Sequence, residues 1–404
     1  MCDTAVVVTP EGVLFGKNSD REPGEAQAVE LHPARAGARA VIVSRPAWMW
    51  GCEMGANDAG VVGGNEAVFT RVALSASSGR SGMDLLRATL ERAATAAEAV
   101  DVLTELLSST DQGGPMGFRD RSFRYSSSFL LADATEAWVV ESAGRLWAAE
   151  RVTGGVRAIS NALTIGASPT RVHPEAEREA RRRGWLPRHA PFDFARAFGS
   201  PVMRPLTGAE ARRACTAAAL SSVRTLDAAA MMAALRDHRG RHPSAGLRLE
   251  APCAHASFWP TRHAGQTTGS MVSLLRRDGG ARHLVTGTSS PCLSVFKPID
   301  FDTDPRDLGP PAPVAADDES LWWRHERLHR AILAGWGPRH AVLEPLRASL
   351  EADALASTPR DAWAAHRDVL PIWLATVQAP PPTRAAPLFR AYWRRQSRRD
   401  GITP

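Results

Sequence analysis

The residue best placed by type and position to do chemistry is Cys2, followed at once by the run DTAVVV. Removal of the methionine before it, which a residue as small as cysteine permits, would leave a thiol and a free α-amine on one residue. A thiol with a pKa near 8.5 is mostly protonated at neutral pH. An α-amine has a reference pKa of about 7.7–8.0, so its neutral fraction can take the thiol proton. Nucleophile and base would then reside in a single residue. Position alone is weak support, because termini fray; the β-branched run is what anchors this one in a sheet.

Three further stretches could complete such a centre. GKNSD, residues 16–20, offers Lys17 as a positive charge to lower the thiol pKa and Asp20 as an acceptor that orients the amine. GGNEA, residues 63–67, offers Asn65 as an oxyanion donor, with glycines that let backbone approach a substrate. SNA, residues 160–162, offers Asn161 as a second amide. Taken singly, each reads as well as a turn.

The elements that must position these residues follow from the pattern. Residues 2–8 and VLFGKNSD form a hairpin around TPEG, which brings the far end of GKNSD back to face Cys2. ARAVIVSR is a third strand, and NDAG turns the chain into a strand ending at Asn65. GMDLLRATLERA and AAEAVDVLTELLSS carry apolar residues three and four apart, as paired helices do. SSFLLADA, EAWVVESA, RLWAAERV and GVRAISNA alternate as a second antiparallel sheet. Residues 171–236 are mostly helical, and GSMVSLLRR and RHLVTGT return as strands. LGPPAPVAADD is a linker, and beyond it the pattern is helical apart from a break at QAPPPT. The expected division is a catalytic unit over 1–308 and a helical extension over 309–404 packed on it.

Composition narrows the classes. The chain has 404 residues, 44% of them hydrophobic, and a net charge of +6. Its arginines are interleaved with acids on helices, so a solvated face is favoured over nucleic-acid binding. No apolar run would span a bilayer, and the N-terminus lacks a secretory pattern; a cytoplasmic protein with no membrane partner is expected, matured by methionine removal alone. The five cysteines are scattered without CxxC pairs, which speaks against a disulfide framework and against a zinc site. His325 and His329, one helical turn apart without HExxH, read as a surface or packed pair. EMGANDAG lacks a phosphate-loop lysine and GxGxxG spacing, and GxSxG is absent. Neither a cofactor nor a metal is expected. Of Trp48 and Trp50, one is expected in the core and the other in a pocket. Only two of the 49 basic residues are lysine, Lys17 and Lys297, and there are only four asparagines. Where arginine replaces lysine wherever charge alone matters, a retained lysine or asparagine marks a position whose shape or hydrogen bonding matters.

MCDT, GKNSDR, SRPAWMWGCEMGANDAGVVGGNEAV, SFLLADATEAWVVESAGR, RAISNALTI, QTTGSMVS and VTGTSSPCLSVFKP resemble the secernin and C69 dipeptidase family of N-terminal nucleophile hydrolases, and the likeness extends to LWWRHERLHR. The resemblance implies an α+β fold: a four-layer αββα sandwich of two antiparallel sheets. It also implies amide hydrolysis through a thioester on Cys2. It assigns catalytic roles to Cys2, Lys17, Asp20, Asn65 and Asn161, with Lys17 standing where the wider group has arginine. A late active-site arginine of that group has no motif here, and Arg262, before QTTGS, is taken for it. Arg21, Trp48, Trp50, Glu66 and Arg262 are the candidate substrate contacts. The expected substrate is a small peptide or N-acyl amide, and the resemblance leaves a homo-oligomer open, since relatives of this fold often assemble. Two other outcomes stay open: an acyltransferase using the same acyl-Cys2, and a non-catalytic secernin-like interaction protein.

Overall fold

The computed structural model describes residues 2–75, 78–263, 265–380 and 386–402. Fourteen strands and ten α-helices occur among them. The chain opens with β1 (Cys2–Thr9), β2 (Gly12–Arg21), β3 (Gln27–His32), β4 (Val41–Pro46), β5 (Met54–Asn57) and β6 (Val62–Val68). The helices α1 (Gly82–Leu90) and α2 (Ala96–Ser109) follow, then β7 (Ser126–Ala132), β8 (Ala137–Ala143), β9 (Leu146–Val152), β10 (Gly155–Ile159) and β11 (Arg171–Val172). Next come α3 (Ala176–Arg182), α4 (Phe194–Phe198), α5 (Ala209–Leu220) and α6 (Ala228–Arg236), and then β12 (Gln266–Arg276), β13 (Ala281–Val285) and β14 (Lys297–Ile299). The chain ends in α7 (Leu321–Leu333), α8 (Trp336–Ala356), α9 (Pro359–Gln378) and α10 (Pro387–Arg399).

The strands make two sheets. One has six strands in the order β10-β1-β2-β12-β13-β14; the other has eight, β11-β9-β8-β7-β6-β5-β4-β3. Every strand pairing is antiparallel. Period-2 alternation sorts the side chains. From β1, Val6 and Val8 point between the sheets and meet Met54, Val62 and Leu130. Ala5 and Val7 point outward and are covered by Met231 and Leu235 of α6. Phe129 and Leu131 of β7 point away from the first sheet onto Leu86 of α1 and Leu103 of α2. The order is therefore α5 and α6, six-stranded sheet, eight-stranded sheet, α1 and α2: an αββα sandwich. Because β1 is buried on both faces, AVVV reads as an unbroken apolar run and not as an alternation.

One strand differs from expectation. GVRAISNA does not extend the second sheet after β9. It crosses over and pairs with β1, Thr4 opposite Ile159. Alternation identifies a strand but not its partner, and this crossing is what delivers Asn161 to Cys2. The edge strand β3, half-exposed, carries no strong pattern and was not foreseen.

Of the expected break at QAPPPT, residues 381–383 lie outside those described. The helices beyond the linker share the inter-sheet core: Leu328, Leu343, Trp363 and Leu370 belong to the same buried cluster as Val6 and Met54. Among the described residues, no helix is long and apolar enough to cross a membrane.

Candidate active site

The hairpin places Cys2 opposite Ser19. Cys2 thus faces the inter-sheet space at its rim, Asp3 points outward to Arg212, whose α5 covers that face, and Asp20 lines the cleft. The Cys2 backbone nitrogen donates to Asn161 Oδ1 at 3.0 Å. The backbone N–H of Asp20 donates to Cys2 Sγ at 3.4 Å, and Glu53 Oε2 lies 3.8 Å from the same sulfur. Burial pushes the Cys2 thiol up to about 11; Lys17 pulls it down and Glu53 adds to the rise. At neutral pH the sulfur is a thiol, and it needs a base.

Lys17 lies beneath the thiol between the sheets, fully buried. Its ammonium donates to Asn65 O at 2.6 Å and to Glu66 Oε1 at 3.2 Å. Burial works against its charge, but Cys2, Glu66 and Glu53 hold its pKa above the ordinary lysine value. Glu66 also accepts from Thr4, and burial raises its carboxyl against the pull of Lys17. The lysine stem runs against Gly64, where an added Cβ would stand 2.4 Å from Lys17 Cδ.

Asp20 Oδ1 accepts from Thr267 Oγ1 at 2.7 Å. Burial raises the carboxyls of Asp20 and its neighbour Asp3 to about 6 each. Asn161 Oδ1, besides accepting from Cys2, accepts from Arg212, and its Nδ2 donates to Ala67 O at 2.8 Å. Arg212 of α5 is wholly buried and donates from Nε to Asp3 Oδ2 at 2.9 Å and from Nη2 to Ser160 Oγ at 2.8 Å.

The late arginine that reaches this centre is therefore Arg212 and not Arg262. Arg262 holds the backbone carbonyls of Pro243, Ala245, Gly246 and His255 and does not line the cleft. Nothing local distinguishes Arg212, because nearly every basic residue of this chain is an arginine. Glu53 was missed as well; its signal is an acid inside the small, apolar run GCEMGA.

A cleft of about 330 Å³ opens onto Cys2. Phe69, Met116, Phe123, Met203 and Leu206 supply apolar walls, and Asp20, Glu22, Glu25, Glu53, Asp120 and Arg21 supply charge. Arg21 donates to Glu53 at 3.0 Å, to Glu25 at 2.8 Å and to the Tyr125 hydroxyl at 3.1 Å.

The remaining expected residues are placed less directly. Asn65 sits behind Glu53; with its amide nitrogen turned toward acceptors it donates to Glu53 O at 3.2 Å and to Glu53 Oε2 at 3.3 Å. Glu66 is sealed beneath the site. Trp48 is half-buried beside the cleft and donates to Glu25 at 2.9 Å. Trp50 is 49% exposed, under the Arg87 guanidinium. The tryptophans are thus neither core nor pocket wall.

No family model matches the chain. Solved structures similar to it include a variant of the conjugated bile acid hydrolase of Clostridium perfringens, 13% identical over 75% of this chain and 93% of that one, with a TM-score of 0.46. Penicillin V acylase of Agrobacterium tumefaciens is 14% identical over 74% and 86%, with a TM-score of 0.39. The Caenorhabditis elegans ortholog of N-acylethanolamine-hydrolyzing acid amidase is 13% identical over 67% and 92%, with a TM-score of 0.37. At these scores the chemistry of the site rests on its own geometry.

Proposed function

We propose that the protein is a cysteine amidohydrolase of dipeptidase type, working through a thioester on Cys2 once the peptide bond before that residue has been cut. One observation carries the reading. The Cys2 nitrogen, its sulfur, Asn161 and Asp20 meet at the head of a mostly apolar cleft, with the nitrogen already tied to Asn161.

The cut converts that nitrogen into an α-amine. It keeps one N–H on Asn161 Oδ1, which leaves its lone pair for the thiol proton. Sulfur attacks the amide carbon, and its proton passes to the amine. A substrate carbonyl entering beside Cys2 competes with Glu53 for the Asn65 amide, a donor worth roughly 2.7–4 kcal/mol in such sites. The carbon–nitrogen bond breaks as the leaving nitrogen takes the proton from the α-ammonium. Water then attacks the thioester, losing its proton to the same amine, and the acid departs as the thiol is restored.

The charge of the cleft favours a substrate class. Asp20, Glu22, Glu25, Glu53 and Asp120 face a single guanidinium, Arg21, which is already shared by two glutamates. A substrate bearing an ammonium group on the acyl side of the scissile bond suits this lining, and Arg21 is the cation that a dipeptide's carboxylate, on the leaving side, would meet. A panel of dipeptides with free N-termini, tested beside their N-acetylated forms, tests this. Faster turnover of the free-amine substrates is expected; preference for the acetylated set would overturn the dipeptidase reading and leave an N-acyl amidase.

A further inference from the structure

Behind the active site, four side chains from three separate segments converge. His238 follows α6, Cys253 and His255 lie on the approach to β12, and Cys292 lies in the turn before β14. One ligand atom of each falls within 4.8 Å of every other. His255 Nε2 is 3.1 Å from His238 Nε2, 3.7 Å from Cys253 Sγ and 3.4 Å from Cys292 Sγ. With Zn–S of ~2.3 Å and Zn–N of ~2.0–2.1 Å, a tetrahedron has edges of roughly 3.3–3.8 Å. The two sulfur–nitrogen spacings fall in that range, and the nitrogen–nitrogen spacing of 3.1 Å is slightly shorter.

The surroundings are those of a held ion. His255 Nδ1 is 3.2 Å from His329 Nε2, and His329 Nδ1 is 3.2 Å from Glu326 Oε2. One set of tautomers satisfies this row: each Nδ1 carries hydrogen and donates onward, ending on a carboxylate. That leaves His255 Nε2 as a bare lone pair aimed at the cluster, the arrangement that a carboxylate–histidine relay gives a metal ligand. Hydrogen bonding alone would direct His238 and two thiols at that one lone pair. A cation accepts all four groups as ligands. The Trp336 ring closes over both histidines, with centroids 5.5 Å and 5.2 Å away, and a cavity of about 30 Å³ bordered by His238, Cys253 and His255 gives a way in.

We infer that His238, Cys253, His255 and Cys292 bind one structural zinc ion in a closed S₂N₂ tetrahedron, with His329 and Glu326 as its outer relay. Two sulfurs and two imidazoles suit zinc over harder divalent ions. Binding releases two thiol protons, and the two thiolates balance the ion's charge, so the buried centre is neutral. Cysteine spacing argues against zinc along the sequence, but that argument tests only neighbours in the chain, and these ligands are neighbours only in the fold. The ion would brace the active site from behind: between two ligands, the Ala254 N–H donates to Thr267 Oγ1 at 3.0 Å, and Thr267 holds Asp20. The inference stands apart from the proposed activity, since it rests on none of the cleft residues.

The test uses the full chain, purified under reducing conditions. Elemental analysis is expected to give one zinc per chain. Exchange with Co²⁺ is expected to produce thiolate-to-cobalt charge transfer in the near ultraviolet and the visible bands of a tetrahedral ion. The charge-transfer bands weaken in Cys292→Ser. Should that variant fail to fold, His329→Gln leaves all four ligands in place and is expected to lower zinc affinity by about 10–100-fold, read by competition with a chromophoric chelator. Two results would overturn the inference: folded protein that binds neither Zn²⁺ nor Co²⁺ stoichiometrically, or a resting Cys253–Cys292 disulfide that takes no metal after reduction.

Discussion

At the scale of single residues, the scarce amino acids were the informative ones. Lys17, Lys297, Asn18, Asn57, Asn65 and Asn161 are all at most 1% exposed. Asn18 both donates to the Leu235 and Pro252 carbonyls and accepts from Ser270; Asn57 and Asn161 likewise use both ends of the amide. Residue type therefore showed where hydrogen bonding is demanding, and it brought Cys2, Asp20 and Asn161 together from sequence. It did not reveal Arg212, whose type is common here, or Glu53, whose role depends on a neighbour 51 positions away. Asp20 yields a pH dependence. Burial lifts its carboxyl from an ordinary 3.8 to about 6, so it is protonated below that pH and ionised above. Only the ionised form accepts from the α-amine without competing for its lone pair. Below the titration of the α-amine base, activity is expected to fall further as pH drops through about 6, and Asp20→Asn to lose this lower part of the acid limb along with on the order of 10²-fold in kcat/KM. A pH–rate profile of both proteins checks this; an unchanged limb in the variant would assign it to another group, Asp3 first.

Among the elements, the hairpin of β1 and β2 was legible because a β-branched run, a TPEG turn and a returning apolar run are all local. The place of β10 was not, because which sheet a strand joins is settled by packing across the molecule. The two sheets touch beneath the site where Lys17, from β2, reaches Asn65 and Glu66 of β6. This joint depends on Gly64, where a side chain would fall on the lysine stem. Gly64→Ala is expected to destabilise the protein by about 1–3 kcal/mol through overpacking and to slow turnover by displacing Lys17. Urea unfolding followed beside kcat measures both effects; full stability with normal turnover would show that the lysine has room to shift.

Over the whole molecule, the C-terminal helices pack on the sheets through a shared buried cluster. Trp363 of α9 donates to Pro298 O at 3.1 Å, and its ring centroid lies 4.7 Å from Lys297 Nζ. Burial drives that lysine's pKa well below the ordinary value. Trp363→Ala is expected to cost about 3–5 kcal/mol, seen as one cooperative unfolding transition at lower urea; two separated transitions would show that the tail folds independently. Composition marks the bend at the proline-rich linker and is silent on what packs after it. The central claim, that Cys2 with its own amine forms the acyl intermediate, is tested most directly by intact-mass and peptide-level mass spectrometry after rapid mixing with an activated acyl ester. The expected result is one adduct per chain, located on Cys2 and confined to molecules with a free Cys2 N-terminus, with neither adduct nor turnover in Cys2→Ala. Turnover in that variant, or an adduct only at another cysteine, would contradict the account.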